Sequence, residues 1–364
     1  MHGLEGVRQL VQHVVVGVAL CGTLLAAEPE STGWHQRLDA YRDADGAAKP
    51  IKSPADWQRR RAQILAGMEE AMGPLPPRED LPEFDLKVLS TSETDTVIRQ
   101  SITFVPEDGD RLSAILLRPK KTDGQPLPAM LALHPTGAQG KLIVLGEGPR
   151  ENRQYGLELA ERGYVVICPD YPSFGDIADY DFEADDYLSG SMKGIFNHMR
   201  CVDLLQSLPE VDGDRIGVIG HSLGGHNAMF VGVFDSRLKV IVSSCGWTPF
   251  HDYYNGKIKG WTSSRYMPLL ESKYKLDPDQ VPFDFYEVVA ALAPRPFFSA
   301  SPLHDSNFEV AGVRKAIPKA REIYQLLGAP EALELSTPDC EHDFPPEVRE
   351  AAYRFIDAAL DHQP

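Results

Sequence analysis

Residues 215–229 read RIGVIGHSLGGHNAM, a β-branched apolar run that breaks into five glycine or histidine positions around one serine. The run RIGVIG predicts a strand and LGGHNAMFVGV the start of a helix. Between them stands G-x-S-x-G, with Gly220 and Gly224 two positions either side of Ser222. A serine on such a strand-to-helix turn sits in a strained backbone conformation that lifts its hydroxyl clear of the sheet. Side chains two residues away on either side would collide there, hence the glycines.

A serine hydroxyl at neutral pH is a weak nucleophile, so this reading needs a histidine to take its proton and a carboxylate to orient that histidine. For a serine on this kind of turn the chain order is Ser, then Asp or Glu, then His. The run PFFSAS leads into PLHDSNF, which offers Asp305, and ALELSTP leads into DCEHDF, which offers His342. Asp339, three residues before His342, and Asp252, after the strand LKVIVSS, are the other acids considered. The oxyanion of the reaction needs two backbone N–H groups. Leu223 supplies one, and the loop LALHPTGAQGK supplies the other from Thr136, with Gly137 as the fallback. His221 and His226 flank the serine and read as packing groups, or as groups that support the catalytic residues from behind, rather than as bases.

The rest of the chain sets the frame. Its 364 residues carry a formal charge of −17, and it has no basic run or stripe. Nucleic acid is therefore excluded as a partner, because counterion release from a polyphosphate needs clustered Lys and Arg. Residues 1–27, with Arg8 ahead of the apolar VVVGVALCGTLLAA, read as an export signal that places the protein in a secreted or periplasmic setting, with no membrane association after cleavage, or else as an N-terminal anchor that is retained. Four cysteines remain: Cys168, Cys201, Cys245 and Cys340. Cys245 and Cys340 fall in loops near the expected site, either as a disulfide or as free small hydrophobes.

Residues 28–80 form a leader with one helix, whose N-cap is Ser53 and whose apolar face carries Trp57, Ile64, Leu65 and Met68. Residues 81–364 form the main domain. FDLKVLST, TVIRQSITFVP and RLSAILLRPK, joined by turns, predict antiparallel strands at one edge. From PAMLALHP onward short apolar runs alternate with helical patterns, which predicts βαβ units: an α/β fold with a mostly parallel central sheet and helices on both faces. Residues 246–293 are too long for an ordinary connection and read as an insertion. Its aromatics, Trp247, Trp261 and Tyr266 foremost, are expected to form a substrate-binding wall over Ser222, or else to fill the insertion's own core.

GHSLGG, PLHDSNF, EHDF, LHPTG and APRPFF together resemble the α/β-hydrolase superfamily, in the branch of dienelactone hydrolase-like proteins, acetylxylan esterases and prolyl-oligopeptidase catalytic domains. The resemblance covers about residues 100–362. It implies Ser222 as nucleophile, His342 as base and then acid, Asp305 as its partner, and Leu223 with Thr136 as oxyanion donors. The function expected is an exported serine esterase on acyl or uronate esters of polysaccharide. A small-ester carboxylesterase or a serine peptidase or aminopeptidase are the alternatives. The mechanism needs no cofactor, and His304-Asp305 with His342-Asp343 lack metal-ligand spacing, so no metal is expected.

Overall fold

The computed structural model describes residues 33–364 apart from Asp123; the expected export signal, residues 1–27, lies outside the described residues. Val165–Pro169 (VVICP) is buried along its whole length, as a strand covered on both faces must be. It belongs to a sheet of nine strands. In chain order, after the short pair β1 (Ala40–Arg42) and β2 (Ala48–Pro50), these are β3 (Lys87–Glu93), β4 (Val97–Phe104), β5 (Leu112–Pro119), β6 (Leu127–Leu133) and β7 (Val165–Pro169). They continue with β8 (Val211–His221), β9 (Leu238–Ser244), β10 (Phe297–Ala300) and β11 (Leu333–Ser336). The spatial order is β11-β10-β9-β8-β6-β7-β5-β4-β3. The six strands from β7 to β11 on that side run parallel, while β3, β4 and β5 pair antiparallel at the N-terminal edge and β5 joins β7 antiparallel. This is the architecture that the alternating pattern predicts.

The helices are α1 (Pro54–Met72), α2 (Tyr155–Glu161), α3 (Gly190–Ser207), α4 (Leu223–Phe234), α5 (Leu269–Ser272), α6 (Phe285–Leu292), α7 (Val310–Leu326) and α8 (Pro346–Ala359). Period-two alternation in the strands divides the core between two faces. Leu131, Ile167 and Val218 pack with Leu204, Met229, Val289 and Ala316 from α3, α4, α6 and α7. Their neighbours Met130, Val166 and Ile219 face the other way, onto Leu159 of α2 and Ala352 of α8.

The leader helix joins the first of these layers. Ser53 caps α1 by accepting the Asp56 N–H at 3.2 Å, Pro54 opens it without a wasted donor, and Trp57, Ile64, Met68 and Met72 enter the same core as the sheet. The insertion at 246–293 is built of single helical turns, α5, and α6, which is started by a capping box between Asp284 and Glu287. Among the described residues no helix is long and apolar enough to cross a membrane.

Candidate active site

Ser222 follows β8 directly and caps α4, with φ 56° and ψ −116°. Strain of this kind persists only where the surroundings over-determine it, and here the backbone is held from both sides. The Ser222 N–H donates to the Ser244 carbonyl at 2.8 Å, and its own carbonyl accepts from the Gly225 and His226 N–H groups at 2.9 and 3.2 Å. The glycines are a steric requirement. A Cβ on Gly220 would lie 2.1 Å from the Gly224 carbonyl oxygen, and one on Gly224 would lie 2.0 Å from that of Leu133.

Asp305 and His342 come from the loops after β10 and β11, which are adjacent parallel strands and so deliver both loops to the same sheet edge. His342 Nδ1 lies 2.9 and 3.0 Å from the two Asp305 carboxylate oxygens. A carboxylate only accepts, so Nδ1 carries the proton and Nε2 is left with its lone pair. Asp305 is itself fixed by the Asn307 and Phe308 N–H groups, which donate to Oδ1 at 2.8 and 3.1 Å. Of the other acids considered, Asp339 pairs with His304 at the surface and Asp252 with Lys315.

Ser222 and His342 line one cavity of about 360 Å³, together with Thr136, Gly137, Arg150 and Asn307. Leu223, the first residue of α4, keeps its side chain buried against Tyr171 and Phe174. Its N–H belongs to the first helical turn, whose donors have no partner within the helix. The Thr136 loop is braced from below. His134 at the end of β6 accepts the Tyr171 N–H through Nε2 at 2.9 Å, so its Nδ1–H donates to the Pro135 carbonyl at 2.7 Å. Burial pushes the His134 pKa below its ordinary value, which suits this neutral form. Lys141 is buried between Asp170 and Asp176, at 2.5 and 2.7 Å, and ties the same loop to the one after β7.

Two groups that no motif announces hold the histidine. Arg153 is 3% exposed; it donates to Asp343 Oδ1 at 2.5 Å and to the His342 carbonyl at 3.1 Å. Burial alone would raise the Asp343 pKa, but bonds from Arg153 and Asn152 outweigh it and the carboxyl titrates below its ordinary value. Cys245, at φ 48°, donates through Sγ to the Asp343 carbonyl at 3.3 Å, and burial pushes its thiol pKa well up. Cys245, Asp305 and His342 could each turn one ligand atom to a common point, these atoms lying within 4.8 Å of one another. A thiol that stays protonated is a poor member of such a set. Cys245 and Cys340 do not pair; the four cysteines of the described residues are free.

His221 and His226 are packing groups, as expected. His221 stands 3.0 Å from Ser244 Oγ, and burial, helped by Arg153 and His342, holds its pKa well below 6.5. Burial takes His226 to about 3.

The expected aromatic wall is not there. Trp247 is 1% exposed and spends its Nε1–H on Ser299 Oγ at 3.0 Å. Trp261 is packed among Phe250, Tyr253, Phe285 and Phe308, and Tyr266 lies half-buried against His226 and Trp261. None of the three lines the cavity of Ser222; Trp247 and Trp261 fill the insertion's core, the alternative the sequence left open, while Tyr266 packs against Tyr171, Phe174 and Leu223. The physical reason is that the insertion has no strands of its own and must bury large apolar surface to be stable.

Known proteins share this fold. A relative named "Putative hydrolase YtaP", from Bacillus subtilis, is 27% identical over 311 residues, 81% of this chain and 98% of its own. Among solved structures, a glucuronoyl esterase from Solibacter usitatus superposes with a TM-score of 0.68 at 19% identity, over 87% of this chain and 96% of that one. A glucuronoyl esterase of carbohydrate esterase family 15 from Caldicellulosiruptor kristjansonii gives 0.64 at 19% identity, over 88% and 89%. The sequence profile described as "Alpha/beta hydrolase family" matches residues 153–360, more than half of the chain and the part that carries the elbow, the acid loop and the histidine loop. The chain therefore belongs to the alpha/beta hydrolase family and is a hydrolase.

Proposed function

We propose that the chain is an exported serine carboxylic-ester hydrolase that cleaves acyl or uronate esters of polysaccharide. The observation that carries the serine mechanism is the Asp305-oriented imidazole of His342 opening on the same cavity as the strained Ser222. Ser222 Oγ attacks the ester carbonyl carbon while His342 Nε2 takes its proton. The N–H groups of Leu223 and Thr136 receive the oxyanion, the C–O bond to the alcohol breaks, and the alcohol leaves with that proton. Water then attacks the acyl-enzyme by the same route, releasing the acid and restoring Ser222. In support of the carbohydrate part, the structural neighbours are named as glucuronoyl esterases.

Among the described residues no Phe, Tyr or Trp lines the cavity, whose volume of about 360 Å³ is near the lower end for small-molecule sites; this favours the second reading, a small-ester carboxylesterase. Proton NMR of the protein incubated with acetylated glucuronoxylan, with Ser222→Ala as control, separates them. Serine-dependent acetate supports the polysaccharide reading. No release alongside good hydrolysis of short synthetic esters supports the second, and hydrolysis by Ser222→Ala near the wild-type rate refutes the mechanism.

A further inference from the structure

The wall around Ser222 is basic. The protein carries 53 acidic against 36 basic residues, and one cavity away from the serine is lined by Glu107, Asp108, Asp110, Asp181, Asp185 and Asp186. Among the described residues the lining of the Ser222 cavity has no carboxylate and two guanidinium groups, Arg150 and Arg153. Arg153 is committed to Asp343 and the His342 carbonyl. Arg150 is exposed, and among the described residues it makes no ion pair, hydrogen bond or ring contact. Its charge is still felt inside the site, since it contributes to the depression of the His221 pKa after burial, Arg153 and His342.

A guanidinium with all its donors unspent, at the rim of a carboxylate-free cavity, is a site for a planar oxyanion. In a chain of net charge −17 the long-range field repels anions, so a local cation above the nucleophile changes which esters reach it. We infer that Arg150 is a specificity-determining residue that binds a free carboxylate on the substrate, so that the preferred esters are acidic ones, with a carboxylate in the acyl or the alcohol part. This inference rests on the serine-esterase reading and narrows its substrate class. The shared chemistry is a carboxylate beside the scissile ester, whether a uronate in an acidic polysaccharide or a small half-ester.

The test compares esters that differ only by carboxylate against neutral amide: mono-4-nitrophenyl glutarate with its glutaramate analogue, and 4-acetoxybenzoate with 4-acetoxybenzamide. In one pair the wild-type kcat/KM is expected to favour the carboxylate by about tenfold, the factor that ~1.4 kcal/mol of charge-assisted binding supplies. That preference should shrink with added salt and collapse to about one in Arg150→Gln, with Arg150→Lys intermediate because a point charge lacks the bidentate fork. Acetate release from acetylated glucuronoxylan against acetylated unsubstituted xylan then tells a polymeric source of the carboxylate from a small one. Ratios that Arg150→Gln leaves unchanged overturn the inference. Equal falls with both members of a pair do the same, because Arg150 then acts on the ester carbonyl. Amide esters turned over with a flat ratio sink the inference alone. No turnover of any ester, with no fluorophosphonate adduct on Ser222, sinks the esterase reading as well.

Discussion

Gly224→Ala is the sharpest test of how the elbow is built. The new methyl would stand 2.0 Å from the Leu133 carbonyl oxygen, 2.6 Å from its carbon and 2.9 Å from the His134 oxygen. Real Cβ atoms stay beyond 3.0 Å, so α4 and the end of β6 must part by at least about 1 Å. Neither can do so cheaply. The β6 end is paired with β8, Leu133 against Gly220, and its carbonyl also accepts the Tyr155 hydroxyl at 2.5 Å. Overpacking against such backbone costs about 3 kcal/mol, at the upper end of the usual range. The displaced groups are Leu223 and the loop of Thr136, so the oxyanion donors shift relative to Ser222, and a misplacement of ~1 Å there costs about 10²-fold in kcat/KM. Urea unfolding and hydrolysis of 4-nitrophenyl acetate measure the two effects. Gly213→Ala is the control: its Cβ meets only the flexible side chain of Gln206, whose nearest atom, Cγ, lies at 3.3 Å, so a change under ~0.5 kcal/mol is expected. A Gly224→Ala protein with stability within ~1 kcal/mol and activity within about threefold of wild type would refute this account of the turn.

Two further predictions concern the surroundings. Trp247→Phe loses the bond to Ser299 in a dry environment, so stability should fall by about 2 kcal/mol with KM for small esters changed less than about twofold; a raised KM at unchanged stability would return Trp247 to the substrate wall. His35 stands 2.7 Å from Glu287. Burial opposes the charged imidazole but the Glu287 carboxylate outweighs it, so the pKa is raised above 6.5. The stability this pair contributes is then complete below about pH 6.5 and lost as pH rises through the raised folded value. His35→Ala should accordingly cost more in urea unfolding at about pH 6 than at about pH 9, and an equal cost at both would contradict the pairing.

Much of this site was legible because its chemistry depends on local backbone rules. Ser222 must stand between glycines at 220 and 224, since only the absence of Cβ atoms lets β8 and α4 meet at that angle. The parallel order of strands then obliges the loops carrying Asp305 and His342 to emerge at one edge, so strand order alone brings them near each other. Arg153 illustrates the limit. Nothing about RENRQ at 150–154 marks one arginine as buried under His342 and the other as free at the rim, because that is set by Asp343, 190 positions away.

The insertion shows the same division. Its length and aromatic content were evident from the sequence, and both readings of those aromatics, wall or core, were compatible with it. Only the packing decides, because Trp247 and Trp261 lower their free energy most where Phe250, Phe283 and Phe285 already exclude water. Local stereochemistry and strand order are written in short windows of residues. Which side chain is buried, which charge is paired and what lines a cavity depend on contacts made across the whole chain, and those exist only once it has folded.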